Sequence, residues 1–120
     1  MTRGAPNSVV HLELRTGNLP RACAFYTQLF GWRAETIRTL SGDYLTLDLG
    51  DRIEGGVVEH EAAHPFWLPY IEVPSVVAAT DQARLLEASV LLSPREGPAG
   101  WRSVLASSAG GTFALWQPKA

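Results

Sequence analysis

Several things are scarce in this sequence, and each scarcity narrows its reading. There is one cysteine, Cys23, which excludes an internal disulfide framework. It falls in a helical pattern with no activating partner in view and reads as a small buried hydrophobe. There is no run of Lys or Arg. Ten basic residues stand against twelve acidic ones, giving a net charge of −2, so neither nucleic acid nor an anionic membrane is an expected partner. No apolar stretch approaches the ~20 residues that span a bilayer. Met1–Ser8 lacks the apolar core of a signal peptide, and the expected location is the cytoplasm. No Ser-His-Asp set and no phosphate-binding glycine loop is present.

What is present describes an ordinary globular chain. At 120 residues, 46% hydrophobic and 18% charged, it has the length of one domain and should bury roughly two-thirds of its unfolded surface. Val9–Arg15 alternates, with Val10, Leu12 and Leu14 on one side and His11 and Glu13 on the other, the pattern of a half-buried strand. Asn18 can cap a following helix, Pro20 suits its first turn, and Gly31 can end it. Ala22, Phe25, Tyr26, Leu29 and Phe30 recur in between at helical spacing. Three strand-like runs follow, Trp32–Thr39, Tyr44–Leu49 and Ile53–His60, with turns at Ser41-Gly42-Asp43 and Gly50-Asp51. Gly55-Gly56 suggests a bulge or a close backbone approach.

The pattern then restarts. Phe66–Val73 alternates, Pro74-Ser75 opens a helix over Val76–Ala88, and Ser89–Ser93, Trp101–Ser107 and Thr112–Gln117 read as strands. Pro94 and Gly97-Pro98-Ala99-Gly100 separate the first two of these, and Ala109-Gly110-Gly111 precedes the third. The order is βαβββ twice, in a single domain spanning residues 1–120, with module one at about 8–61 and module two at about 66–118. Val10–Leu14 lies over Pro69–Val73 at an offset of 59 residues, and Gly55–Glu59 over Gly110–Ala114 at an offset of 55. Two matches in the same order at equivalent strands argue for a duplication.

The expected fold class is therefore α+β: two tandem βαβββ modules forming a curved mixed sheet around a cleft, with the helices outside. The apolar strand faces bury against the helices. The opposite faces would bring His11, Glu13, Tyr44, Thr46, Asp48, Glu59, Tyr70, Glu72 and Trp116 to the cleft, as befits a small-molecule pocket. Glu13, Tyr44, Asp48, Tyr70, Glu72 and Trp116 are the candidate ligand-binding residues. Glu13 and Glu72 hold matching places in the two modules. They could recognise a cation or hydroxyl groups on a ligand, or bond the cleft's own backbone or an arginine such as Arg102. Trp116 and Tyr44 could stack on a flat ligand or serve as wall packing. Trp32, Trp67 and Trp101 sit near strand starts and read as core or interface residues.

The run His11-Leu12-Glu13-Leu14-Arg15-Thr16-Gly17-Asn18-Leu19, followed by Ala24-Phe25-Tyr26 and Leu29-Phe30-Gly31-Trp32, resembles the opening module of the vicinal-oxygen-chelate superfamily, which holds glyoxalase I, bleomycin-resistance proteins and extradiol dioxygenases. Gly100-Trp101-Arg102 and Gly110-Gly111-Thr112-Phe113-Ala114-Leu115-Trp116-Gln117-Pro118 resemble its last hairpin. The resemblance covers about Val9 to Pro118. It implies metal ligands on the first, fourth, fifth and eighth strands, which here are His11, Glu59, Tyr70 and Ala114. His11 and Glu59 suit a divalent ion such as zinc, nickel, manganese or iron, and Glu59 is the carboxylate that could move a proton. Ala114 has no ligating atom, so a glyoxalase I reaction lacks one of its groups.

Two functions remain open on the sequence. One is a binding protein that sequesters or senses a small organic ligand. The other is a divergent metal-dependent lyase, isomerase or oxygenase using His11 and Glu59. The resemblance also implies a homodimer. His60-Glu61-Ala62-Ala63-His64 matches the metalloprotease HExxH string. It lies between Gly55-Gly56 and Pro65, however, and reads as a strand end and crossover rather than a zinc-binding helix.

Overall fold

The structure is a computed structural model and describes residues 7–39, 42–50, 53–59, 64–97 and 99–119. The first module contains β1 (Val9–Thr16), α1 (Leu19–Phe30), β2 (Ala34–Thr39), β3 (Gly42–Asp48) and β4 (Glu54–Glu59). The second contains β5 (Phe66–Glu72), α2 (Val76–Leu85), β6 (Ser89–Glu96), β7 (Gly100–Ala106) and β8 (Thr112–Pro118). The fold is α+β, built of two βαβββ modules. Strands are hydrogen-bonded in the order β2-β3-β4-β1 in the first module and β5-β8-β7-β6 in the second. The pairs β1–β4 and β5–β8 are parallel, and the hairpin-linked pairs are antiparallel. The pairing is thus mixed, because each module's helix carries the chain across before the later strands fold back. The described residues group into two compact units, one of residues 11–68 and one of residues 7–10 with 69–119.

In the first unit, Leu14, Leu45, Leu47 and Val57 form a buried cluster against which Leu19, Ala22, Cys23 and Tyr26 of α1 pack. Cys23 is a free thiol and half-buried. Trp32 and Trp67 pack on the same cluster. Phe25, Leu29 and Phe30, which share the helical spacing of these contacts, are more than half exposed. Local chemistry sets both ends of α1. Asn18 Oδ1 accepts from the Arg21 amide at 3.1 Å, and Gly31, at φ 68°, takes the left-handed turn that ends the helix.

In the second unit, Val73, Val76, Leu105 and Leu115 form the buried cluster, joined by Ile71, Ala79, Ala83, Val90, Trp101 and Phe113. Ser75 Oγ caps α2 by accepting from the Ala78 amide. Two boundaries of this unit differ from the sequence reading by more than one residue. α2 ends at Leu85 rather than Ala88, and Glu87 takes φ 70° without being glycine. Pro94 lies inside β6 rather than ending it. β6 has a free edge in its module's strand order, and its register with β7 shifts between Leu92 and Arg95, so the missing proline amide interrupts no regular ladder bond. Among the described residues, no helix is long and apolar enough to cross a membrane.

Candidate functional site

Strand alternation puts one face of each module's strands against its helix and leaves the other for polar groups. On β1 the helix side takes Leu14 and Thr16, both buried, so His11, Glu13 and Arg15 face the other way. The parallel register sets His11 beside Glu54 and Glu13 beside Gly56. Antiparallel pairing of β3 with β4 adds Asp48 beside Glu54 and Thr46 beside Gly56. Tyr44 falls on the same side by alternation, so His11, Glu13, Tyr44, Thr46, Asp48 and Glu54 share one face.

His11 is half-buried. A methyl group at Gly56 would lie 3.4 Å from His11 Nε2, so this glycine leaves the space the imidazole fills. Burial holds the His11 pKa below its ordinary value of 6.5, and the carboxylates of Glu13 and Glu54 pull against that shift without overcoming it. Glu13 accepts from Arg15 Nε at 2.9 Å, with both side chains largely covered. Asp48 Oδ1 accepts from the Gly50 amide at 3.2 Å and so closes its own turn. Thr46 Oγ1 donates to the Glu35 carbonyl. Tyr44 is 38% exposed.

Glu59 is not on this face. It pairs in register with Thr16, five residues along from His11, roughly 16 Å at strand spacing. Its parity is that of buried Val57. Its Oε1 accepts from the Leu19 amide at 3.0 Å, satisfying the first free donor of α1. The expected pairing of His11 with Glu59, as metal ligands or as ligand and catalytic base, is corrected by this register. The carboxylate beside His11 is that of Glu54.

The second module repeats the scheme. Tyr70 pairs with Ala114 and Glu72 with Trp116 on the parallel β5–β8 ladder, and Arg102 pairs with Trp116 across β7–β8. Tyr70, Glu72, Ala114 and Trp116 are all under 8% exposed. Arg102 Nη1 donates to the Tyr70 hydroxyl at 2.9 Å. A side chain at Gly100 would collide with the Gln117 carbonyl oxygen and meet the Trp116 ring at 2.9 Å. The indole is therefore laid against the β7 backbone, as wall packing with little area left open.

The two registers realign the duplication. His11 pairs with Glu54 as Tyr70 pairs with Ala114, so Ala114 answers to Glu54, an offset of 60 residues rather than 55. Glu59 has a different counterpart. Gln117 Oε1 accepts from the Val76 amide at 2.9 Å, as Glu59 does from Leu19. In each module a side chain near the end of the last strand holds the first amide of the helix. Glu54 was missed in the sequence because the Gly-Gly pairs drew the alignment five residues off. Buried Val57 was the available signal, since a strand that buries Val57 cannot also turn Glu59 to the opposite face.

The donor atoms at the four positions are too few for a divalent metal. Ala114 offers no donor atom, and the Tyr70 hydroxyl already accepts from a guanidinium that would repel a cation. Among the described residues, no group of three or more His, Cys, Asp or Glu side chains is placed to hold a metal ion. The residues do not fit a tightly held catalytic metal of the kind the superfamily uses. The HExxH string lies mostly outside the described residues, with only His64 inside them. A depression of about 440 Å³ lies on the helix side of the first module, between Leu14, Thr16, Arg21, Phe25 and Tyr26. None of the expected site residues lines it.

A βαβββ duplication with parallel first-to-last strand pairing defines a glyoxalase-like fold. The chain belongs to the Glyoxalase/Bleomycin resistance protein/Dioxygenase superfamily, whose sequence model matches residues 8–105. The anthracycline biosynthesis protein DnrV of Streptomyces peucetius is 28% identical to it, over 98% of this chain and 49% of that protein. The chain thus spans about half the length of the curated relatives it matches. Methylmalonyl-CoA epimerase from Mycobacterium tuberculosis matches with a TM-score of 0.69 and 13% identity, over 100% of this chain and 94% of that one. A variant of the Streptomyces coelicolor epimerase, in complex with 2-nitronate-propionyl-CoA, matches with a TM-score of 0.71 and 15% identity, over 97% and 100%. At such identities these likenesses show the fold alone.

Proposed function

We propose that this chain binds a small, largely apolar organic molecule against the polar faces of its modules and does not carry out glyoxalase I chemistry. The observation that carries this reading is the donor set of the second module, where the positions matching His11 and Glu54 hold an arginine-bonded tyrosine and an alanine. A glyoxalase reaction needs a metal to stabilise an enediolate and a base to move the proton, and of these two positions Ala114 has no donor atom while the Tyr70 hydroxyl is engaged by Arg102. Polar groups of mixed sign and a tryptophan wall remain, which suit orientation of a bound molecule. The likeness to proteins of anthracycline biosynthesis supports a flat polycyclic aromatic as the ligand class. The superfamily resemblance and the exposed apolar side chains of α1 support a homodimer.

A second reading rests on a separate observation. His11 and Glu54 stand side by side in register, and burial keeps His11 in its neutral, metal-binding form. A divergent metal-dependent lyase, isomerase or oxygenase could be built on that pair. Metal analysis of protein purified without an affinity tag separates the two. The binder reading expects substoichiometric metal and a thermal shift with anthraquinone-type compounds. Stoichiometric metal that is lost in both His11→Ala and Glu54→Ala would overturn it.

A further inference from the structure

We infer that Arg102 is an anion-recognition residue, selecting ligands that carry a carboxylate or ionised hydroxyl on an aromatic frame. This rests on the binder reading above and names the chemistry of its ligand. Arg102 is half-buried on the polar face of β7, beside Trp116. Its hydrogen bond goes to the Tyr70 hydroxyl at 2.9 Å. The ion pairs among the described residues join Arg15 to Glu13, Arg84 to Asp81 and Lys119 to Glu96, and none includes Arg102.

The contrast with Arg15 is informative. Both arginines lie on the polar face of their module, but Arg15 is in contact with Glu13 at 2.9 Å, whereas Arg102 contacts no carboxylate among the described residues, Glu72 lying two strands away in the same row. A guanidinium carries five donors in a planar fork. Partial burial of that charge without a carboxylate in contact is costly, and the Tyr70 bond holds the group in place without discharging it. A bidentate oxyanion matches the fork and supplies the charge. Beside it, buried Ala114 and the Trp116 ring keep the surroundings of the guanidinium apolar, which strengthens its pull on an oxyanion.

The test compares two fluorescent probes of the same frame, 9-anthracenecarboxylate and 9-anthracenemethanol, titrated against the intact protein. A charge-assisted pair predicts that the carboxylate binds tighter by about tenfold or more. That preference ratio should fall toward one in Arg102→Gln, persist in part in Arg102→Lys, and shrink with added salt in the unaltered protein. Tyr70→Phe should lower the ratio without abolishing it, because the charge remains but loses its positioning partner. Should Arg102→Gln not fold, the salt series and Arg102→Lys still read the ratio. Equal affinity for the two probes overturns the anion assignment and leaves the binder reading intact. Binding of neither probe overturns the binder reading, and this inference with it.

Discussion

Thr80 and Ser103 are fully buried, and their hydroxyls lie 2.8 Å apart between α2 and β7. Thr80 Oγ1 is also 2.6 Å from the Val76 carbonyl. That oxygen can only accept, so Thr80 spends its single proton there and Ser103 must donate to Thr80. The order of proton donation makes the two positions unequal. Ser103→Ala removes a donor and leaves Thr80 satisfied, at a cost of about 1 kcal/mol. Thr80→Val strands the Ser103 proton in the interior and should cost about 2 kcal/mol. Urea midpoints of the two variants check the ranking, and a larger loss in Ser103→Ala would reverse the assigned direction. His11 gives a second prediction at this scale. Its folded pKa lies below 6.5 because of burial, so the unfolded chain takes up the proton first as pH falls. The stability this neutral histidine contributes is whole above about pH 6.5, declines below it, and stops declining once pH passes the folded value. Urea midpoints measured from about pH 7.5 to 5.5 should fall, and His11→Gln should flatten that fall. Single residues were legible in the sequence where parity alone decided them, as for His11 and Glu13. Arg102's bond to Tyr70 depends on a β7–β8 register that no local pattern reveals.

At the scale of elements, the sequence was legible because each strand and helix carried its own punctuation. Asn18, Gly31 and Ser75 are read from side-chain chemistry alone, and the structure puts all three to use as caps. Phase between strands was the weak point. A slip of one residue turns a strand over, and aligning Gly55-Gly56 with Gly110-Gly111 carried Glu59 to the wrong face. The glycines have different work. Gly56 gives room to His11, whereas Gly110 and Gly111 take φ near 100° before β8, a turn role that a strand glycine does not share. Glu59→Ala should therefore act on α1. We expect a loss of about 1 kcal/mol from the unfilled first-turn donor, with anthracene probe affinity unchanged within about twofold, since no bond joins it to the polar face. Denaturation midpoints and probe titrations on the same variant measure both. Loss of probe binding at unchanged stability would return Glu59 to the site.

At the scale of the whole molecule, the exposed apolar side chains are unevenly spread. Phe25, Leu29 and Phe30 are 55–59% exposed on one side of α1, although the other side of that helix covers the first module's core. The two phenylalanines belong to a run of touching aromatic rings. Phe25 meets Tyr26 edge-on at 5.1 Å, Phe30 meets Trp32 at 4.7 Å, and Tyr26 meets Trp67 edge-on at 5.2 Å. Rings held by one another lose little freedom when a further surface covers them, which makes such a patch an inexpensive interface. A net charge of −2 provides weak repulsion between copies. Contiguous apolar surface of this kind on a monomer usually marks a contact, and the superfamily resemblance points to a second copy as its occupant. Light scattering at micromolar concentration should therefore return twice the chain mass. Leu29→Glu with Phe30→Glu should move the protein to monomer while leaving its circular dichroism largely unchanged, because both side chains are more than half exposed in the single chain. A monomer before substitution would remove the homodimer from the proposal. A dimer that survives both glutamates would move its interface off α1, and Leu85, Leu86 and Leu91 of the second module, 60–79% exposed, would be the next residues to alter.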